Sequence, residues 1–365
     1  MKIVQLSYSL SSGGAERFVV DLSNELSENG DNEIVLLTVD DDSVTKNSHY
    51  LSDVSPEVKY INLHVNNGGL SLKSFIRVYK KIKELQPDIV HVHCNLLLVM
   101  LSAFCYRKCI YVHTLHSLAE VCLKYKFLKY IYKYFYKNNL VYAITISKAC
   151  QESYEKMYRL NNSTCILNGR SRPFISNKLE DVRMELNSYK QYPNSKIFVH
   201  VARCNPLKNQ KLLFDIFSRL SSIHKECLLI VIGSGFEGSD FQKYQKCSNI
   251  YILGEKKNIG DYLSCADFFI LSSIYEGLPL SLLEAMSLGV IPVSTPVGGI
   301  PDVIIDGKNG FLSFSCNNED FYDTIVRALS SVDCINRENL KEEYEQKYSM
   351  SSCSKKYIQE YNRLL

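Results

Sequence analysis

No stretch of this chain approaches the ~20 consecutive apolar residues that span a bilayer, so no membrane-spanning helix is expected. The opening residues, Met1 to Leu10, are too short and too polar for a secretory signal. No CxxC pair occurs; Cys105 and Cys109 come closest, and the thirteen cysteines are scattered singly. With no secretion signal, they read as buried, reduced thiols in a cytosol, and the sequon at Asn162-Ser163-Thr164 is then idle. Net charge is only +3, which excludes a general polyanion binder, so no nucleic-acid partner is expected. Short internal repeats and low-complexity tracts are also missing.

What remains is an ordinary globular mixture, 46% hydrophobic and 22% charged over 365 residues. At roughly 150 residues per domain, this length suggests two domains. Short apolar runs alternate with helical patterns. Ten candidate strands begin at or near residues 2, 32, 89, 109, 141, 197, 227, 250, 267 and 290. Runs such as Cys227–Ile232 lack polar alternation, as expected of parallel strands buried on both faces. Strands alternating with helices predict α/β units with doubly wound sheets. The pattern breaks between Arg170 and Asn194, where Pro173, Pro193 and many polar residues predict a linker. We therefore expect a domain over residues 1–180, a second over 190–345, and a helix over 346–365 packing back on the first. Ligands of such sheets bind at the carboxyl ends of the strands, so the two sets of ends are expected to face a central cleft.

The strongest chemical signal is Glu276-Gly277-Leu278-Pro279-Leu280-Ser281-Leu282-Leu283-Glu284, after the apolar run Phe268–Leu271. Pro279 suits the first turn of a helix. Glu276 then precedes the helix and Glu284 lies more than one turn inside it. The backbone N–H groups around Leu278 and Leu280 suit a phosphate at a helix N-terminus.

Two glutamates with seven residues between them, in this context, resemble the EX7E motif of glycosyltransferase family 4. The resemblance implies a GT-B fold and transfer from a nucleotide sugar with retention and without a metal cofactor. It makes Glu276 a contact of the donor sugar and Glu284 a ligand of the ribose hydroxyls, with Gly277, inside the motif, a further donor-binding residue. Val201 through Gln210 is similar to the family segment in which Arg203 and Lys208 grip the donor diphosphate. Two cations there would stabilise the leaving charge. Gly13-Gly14, before a helix expected over Phe18–Leu26, resembles the family's glycine loop against donor and acceptor. His116 takes the position of the active-site histidine, whereas His113 reads as packed within its strand. Ser147 and Asn168-Gly169 also match family landmarks. Ser171 stands where Asp is common, so no role is carried there. The segment Val297–Phe311 matches as fold architecture.

The resemblance further implies a glycan or lipid-linked acceptor and a setting in bacterial surface polysaccharide synthesis, such as lipopolysaccharide or capsule. A nucleotide-sugar isomerase of the same architecture and a non-catalytic donor-binding subunit are the competing classes.

Three other features are weighed. Gly233-Ser234-Gly235-Phe236-Glu237-Gly238 is a literal GxGxxG, but its place in mid-chain argues against NAD. Asp40-Asp41-Asp42 contains the Asp-x-Asp of metal-dependent transferases, yet reads as a solvated acidic loop. Lys126, Lys129, Lys133 and Lys137 recur at helical spacing in an aromatic segment. Two readings stand for them: contact with an anionic membrane surface from the cytoplasmic side, or a solvated face.

Overall fold

The computed structural model describes residues 1–28, 30–43, 48–65, 70–123, 126–238, 241 and 243–365. The chain divides into two compact units, Met1–Arg170 with Met350–Leu365, and Ser171–Ser349.

The first unit is built on seven parallel strands: β1 (Lys2–Ser7), β2 (Glu33–Thr38), β3 (Lys59–Asn62), β4 (Ile89–Val92), β5 (Ile110–Leu115), β6 (Tyr142–Thr145) and β7 (Thr164–Cys165). Their order is β3-β2-β1-β4-β5-β6-β7. Its helices are α1 (Gly14–Glu28), α2 (Leu72–Leu85), α3 (Leu97–Cys105), α4 (Leu128–Lys137), α5 (Lys148–Tyr158) and the C-terminal helix, Met350–Leu364. Ile3, Val4 and Leu6 of β1 are all fully buried, because helices cover both faces of the sheet. Each such side chain contributes ~1.5–3 kcal/mol by leaving water. The C-terminal helix joins this unit through α1 and buries Cys353, Tyr357 and Tyr361.

The second unit holds α6 (Leu179–Tyr189), β8 (Lys196–Val201), α7 (Gln210–Ile223), β9 (Cys227–Ile232), β10 (Ile250–Gly254), α8 (Ile259–Ser264), β11 (Phe268–Leu271), α9 (Leu280–Ser287), β12 (Ile291–Ser294), β13 (Phe311–Leu312), α10 (Asn318–Ser330) and α11 (Arg337–Lys347). The C-terminal helix of the first unit is thus α12. The sheet order is β10-β9-β8-β11-β12-β13, again parallel. Phe198 and Phe268 stack at 4.5 Å across β8 and β11 at the centre of its core. In each sheet the first strand, β1 or β8, lies between neighbours reached by crossovers of opposite sense. That reversal opens a crevice at the strand's carboxyl end.

Several expectations are corrected. The segment expected to be a linker contains α6, which is polar enough to hide: only Val182 and Leu186 are buried. Ser176 ties the same segment to α8 through its N–H and hydroxyl, both donated to Asp261 at 2.7 and 2.6 Å. Strands β3, β7 and β13 were not expected; the first is a half-exposed edge strand and the others have two residues each. Helix α1 starts four residues earlier than the apolar pattern, at Gly14. The thirteen cysteines are free, but only Cys109, Cys150, Cys227 and Cys353 are buried; Cys105 and Cys334 are exposed and the others half-buried.

Candidate active site

In the second unit, β8 ends at Val201 and the chain turns through Arg203 to a 3-10 turn at Pro206–Lys208. The Asn205 side chain accepts from Leu207 N–H at 2.8 Å and starts this turn. Gln210 donates to the Arg203 carbonyl at 2.9 Å. Arg203 is exposed, with no ion pair among the described residues. The GxGxxG glycines serve this loop. A Cβ on Gly233, at φ +150, would meet the Ala202 carbonyl oxygen at 2.0 Å, and the Ser234 carbonyl accepts from Cys204 N–H. The motif is backbone packing beside Arg203.

The neighbouring strand β11 delivers Ser272, Ser273 and Glu276. Lys208 Nζ donates to both carboxylate oxygens of Glu276, at 2.7 and 2.9 Å. Ser273 donates to the same carboxylate at 2.6 Å and Ser272 to the Lys208 carbonyl at 3.0 Å. Thr295, past β12, donates to the Ser273 carbonyl at 2.5 Å. Glu276 is buried and Lys208 half-buried. The structure thus joins Lys208 and Glu276 directly at the switch point of the second sheet.

Gly277 and Leu278 lead into α9. Pro279 is its capping residue in extended conformation, not a first-turn residue, and offers no side-chain cap. Leu280 opens the helix, and among the described residues no side chain at the cap position satisfies its first N–H groups. Glu284 is half-buried, one turn further on. Gly299 N–H donates to the Gly277 carbonyl at 2.6 Å.

In the first unit, Gly13 and Gly14 follow β1. Gly14 opens α1 and faces open space, whereas a Cβ on Gly13 would meet the Glu16 carboxylate first. Phe18 of α1 packs edge-on against His116, with ring centroids 5.4 Å apart. His116 follows β5 and lies 3.0 Å, Nε2 to Nδ1, from His93, which follows β4. His93 Nε2 lies 2.6 Å from Gln5 Oε1 in β1. Burial drives His116 down to about 3 and His93 well below the ordinary imidazole range, so both are neutral. His113 is packed, between the Tyr136 hydroxyl at 2.7 Å and the Cys94 carbonyl at 3.1 Å. Ser147 caps α5 by accepting from Cys150 N–H at 3.1 Å. Arg170 and Arg17 both pair with the buried Asp21.

Sequence reasoning missed Ser273, Thr295, Gln5 and His93. For Gln5 a signal existed, a polar residue inside the otherwise apolar β1; His93 lies one residue past β4.

Of the remaining candidates, Asp41 and Asp42 lie with His64, their ligand atoms within 4.8 Å of one another. Tyr60 donates to Asp42 and Ser43 N–H to Asp41. Lys126 precedes α4 instead of belonging to it; Lys126 and Lys137 are exposed, whereas Lys129 and Lys133 are half-buried. Phe127, Tyr130 and Tyr134 beside them are 61%, 73% and 52% exposed. Among the described residues no helix is long and apolar enough to cross a membrane.

Two parallel α/β sheets of this topology make up the GT-B fold. Residues 12–170 match the model of glycosyltransferase family 4 and residues 182–347 that of glycosyl transferases group 1, and the chain belongs to this family. It is 26% identical over 277 residues, 70% of each chain, to the UDP-Gal:alpha-D-GlcNAc-diphosphoundecaprenol alpha-1,3-galactosyltransferase of Escherichia coli. A crystal structure of Anabaena HepE in complex with UDP and glucose superimposes with a TM-score of 0.78 at 17% identity, covering 100% of both chains. A glycosyltransferase from Rickettsia africae gives 0.81 at 17% identity, covering 99% and 98%.

Proposed function

We propose that the chain is a retaining, metal-independent hexosyltransferase. Its donor is a nucleotide-diphosphate sugar, UDP- or GDP-linked, and its acceptor a glycan or lipid-linked glycan of bacterial surface polysaccharide. The observation that carries this reading is the Lys208–Glu276 pair beside the start of α9. Lys208 and Arg203 supply positive charge where a diphosphate would leave, and the N–H groups of α9 add partial positive charge. A leaving diphosphate gains charge as the glycosidic bond breaks, so these groups favour the transition state over the bound donor. Glu276 contacts the donor sugar and Glu284 the ribose hydroxyls. In the first unit, the Gly13-Gly14 loop and His116 take the substrate side. The names of the Escherichia coli relative and of the HepE complex support a UDP-linked donor and a lipid-linked acceptor. An acceptor of that kind works at a membrane, and the exposed Phe127, Tyr130 and Tyr134 beside the lysines of α4 support a peripheral location, which we place on the cytoplasmic side.

A thermal-shift screen of UDP-, GDP- and ADP-sugars tests the donor. A donor at ~100 times its dissociation constant adds about 2.7 kcal/mol to stability. Glu284→Ala should weaken that binding by ~1.5–3 kcal/mol, the worth of hydrogen bonds to a charged group. Unchanged affinity would remove Glu284 from the ribose. Donor isomerisation without acceptor would make the protein an isomerase instead.

A further inference from the structure

The Gln5–His93–His116 chain has a direction, and that direction limits what His116 can touch. A neutral imidazole carries one N–H and one lone pair. With the Gln5 amide oxygen placed against His93 Nε2 at 2.6 Å, and Gln5 Nε2 left buried without a partner among the described residues, the proton of His93 is assigned to Nε2. His93 Nδ1 is then a lone pair, and at 3.0 Å it can only accept from His116 Nε2–H. The remaining nitrogen, His116 Nδ1, has no hydrogen-bond partner among the described residues and is not sealed from solvent. We infer that Gln5 and His93 are positioning residues that lock His116 as an acceptor-only imidazole, which receives a hydrogen bond from a sugar hydroxyl and disfavours a phosphate oxygen.

The surroundings hold this state. His91 of β4 lies against His93 with ring centroids 3.9 Å apart. Phe18 of α1 packs on both His93 and His116, and Tyr357 of α12 packs on Phe18 and His91. His91, His113 and His116 are all held neutral by burial, so no charge from these neighbours reverses the chain. Neither Gln5 nor His93 reaches the substrate; both act through His116. The inference rests on the proposal that His116 meets substrate.

The test is a long-range proton–nitrogen correlation spectrum of the histidine-labelled protein, beside steady-state kinetics. The expected spectrum shows His116 protonated at Nε2 and bare at Nδ1, and Nδ1 shifts on adding a nucleotide sugar but not the matching nucleoside diphosphate. His93→Phe and Gln5→Met should scramble the His116 tautomer and lower kcat about tenfold, the worth of one hydrogen bond, with donor KM unchanged. His93→Gln, which can donate to Gln5 and accept from His116, should recover most of that loss. A proton on His116 Nδ1 in the parent protein overturns the direction. The expected tautomer with turnover indifferent to both Gln5→Met and His93→Phe overturns the positioning role. Should His93→Phe fail to fold, the parent spectrum and Gln5→Met decide. His116→Ala with parental turnover removes the underlying site reading and with it the positioning role, and leaves only the tautomer assignment standing.

Discussion

Lys208 Nζ bonds both carboxylate oxygens of Glu276, across 68 residues of sequence. The pair joins the loops after β8 and β11, the two strands that flank the switch point. Its side chains are 26% and 8% exposed, so water screens the contact only in part. A lysine held this way has little freedom left to lose when a diphosphate arrives.

Removing that cation should slow chemistry more than it weakens binding. Lys208→Ala is expected to lower turnover by ~10²–10³, the usual cost of one electrostatic contact to a developing charge. Donor affinity should fall less. Ser273 still donates to Glu276, so the carboxylate keeps a partner and the protein should fold. Arg203→Ala should behave likewise. Near-parental steady-state turnover in both would make this pair surface charge.

Gly298 sets the backbone of Glu276. It adopts φ +57, and an added Cβ would lie 1.9 Å from the Glu276 carbonyl oxygen. Backbone atoms cannot step aside cheaply. Gly298→Ala should therefore displace Glu276 and abolish most turnover. Gly307 provides the control: its φ is +72, yet nothing lies within 4 Å of its Cβ position. Gly307→Ala should cost only the left-handed strain, ~1 kcal/mol, with turnover kept. Equal effects of the two substitutions on activity and melting temperature would show that contact with Glu276 is irrelevant.

How much of this was legible depended on burial. Strands covered on both faces, such as Leu228–Ile232 or Phe268–Leu271, read directly as apolar runs, and their alternation with helices carried the fold class. Edge and two-residue strands left no run to read, and α6 buries too few side chains to show a face. In the candidate site, Glu276 and Lys208 were recognised as members of two separate motifs. Their mutual bond depends on β8 and β11 being neighbours, which local sequence does not state. Gln5 and His93 belong to no motif; a polar residue within the buried β1 marked the first, and the second lies just past the end of β4.

Those buried histidines also make the fold sensitive to acid. His113 and His200 are pushed to about 4 and His116 to about 3, all by burial, while His91 and His93 fall well below 6.5. Below pH 6.5 the unfolded chain takes up protons that the native state refuses. Stability is therefore full above pH 6.5 and is lost as pH falls towards about 4, by up to about 1.4 kcal/mol per pH unit for each such histidine. Urea midpoints should fall steeply across that window, and His113→Asn should flatten the slope. A midpoint independent of pH there would contradict the buried neutral state.

Turnover should persist in excess chelator. The proposed charge stabilisation uses Lys208, Arg203 and the N–H groups of α9. The competing arrangement is Asp41, Asp42 and His64, whose carboxylates already accept from Ser43 and Tyr60. Loss of turnover in chelator, restored by manganese and blocked by Asp42→Asn, would move the chemistry to a metal at that cluster.

Helix α4 has one buried and one exposed aromatic face. Leu128, Tyr132, Phe135 and Tyr136 turn into the core, which leaves Tyr130 and Tyr134 on the opposite face, with Phe127 just before the helix. Exposed aromatics among lysines suit the headgroup layer of a membrane, where an apolar ring body and a cation are both accommodated. Each lysine near an anionic surface is worth ~1 kcal/mol, and the attraction falls off within a Debye length. Lys129 and Lys133 are half-buried, so Lys126 and Lys137 should contribute most. Replacing all four lysines by glutamine should weaken sedimentation with anionic vesicles and leave neutral vesicles unaffected. Replacing Phe127, Tyr130 and Tyr134 by serine should weaken binding to both kinds, since the apolar contribution does not depend on lipid charge. Because these side chains are exposed, melting temperature should hardly change in either variant. Binding that survives both sets of substitutions would assign the lysines to a solvated face and leave this helix without a membrane role.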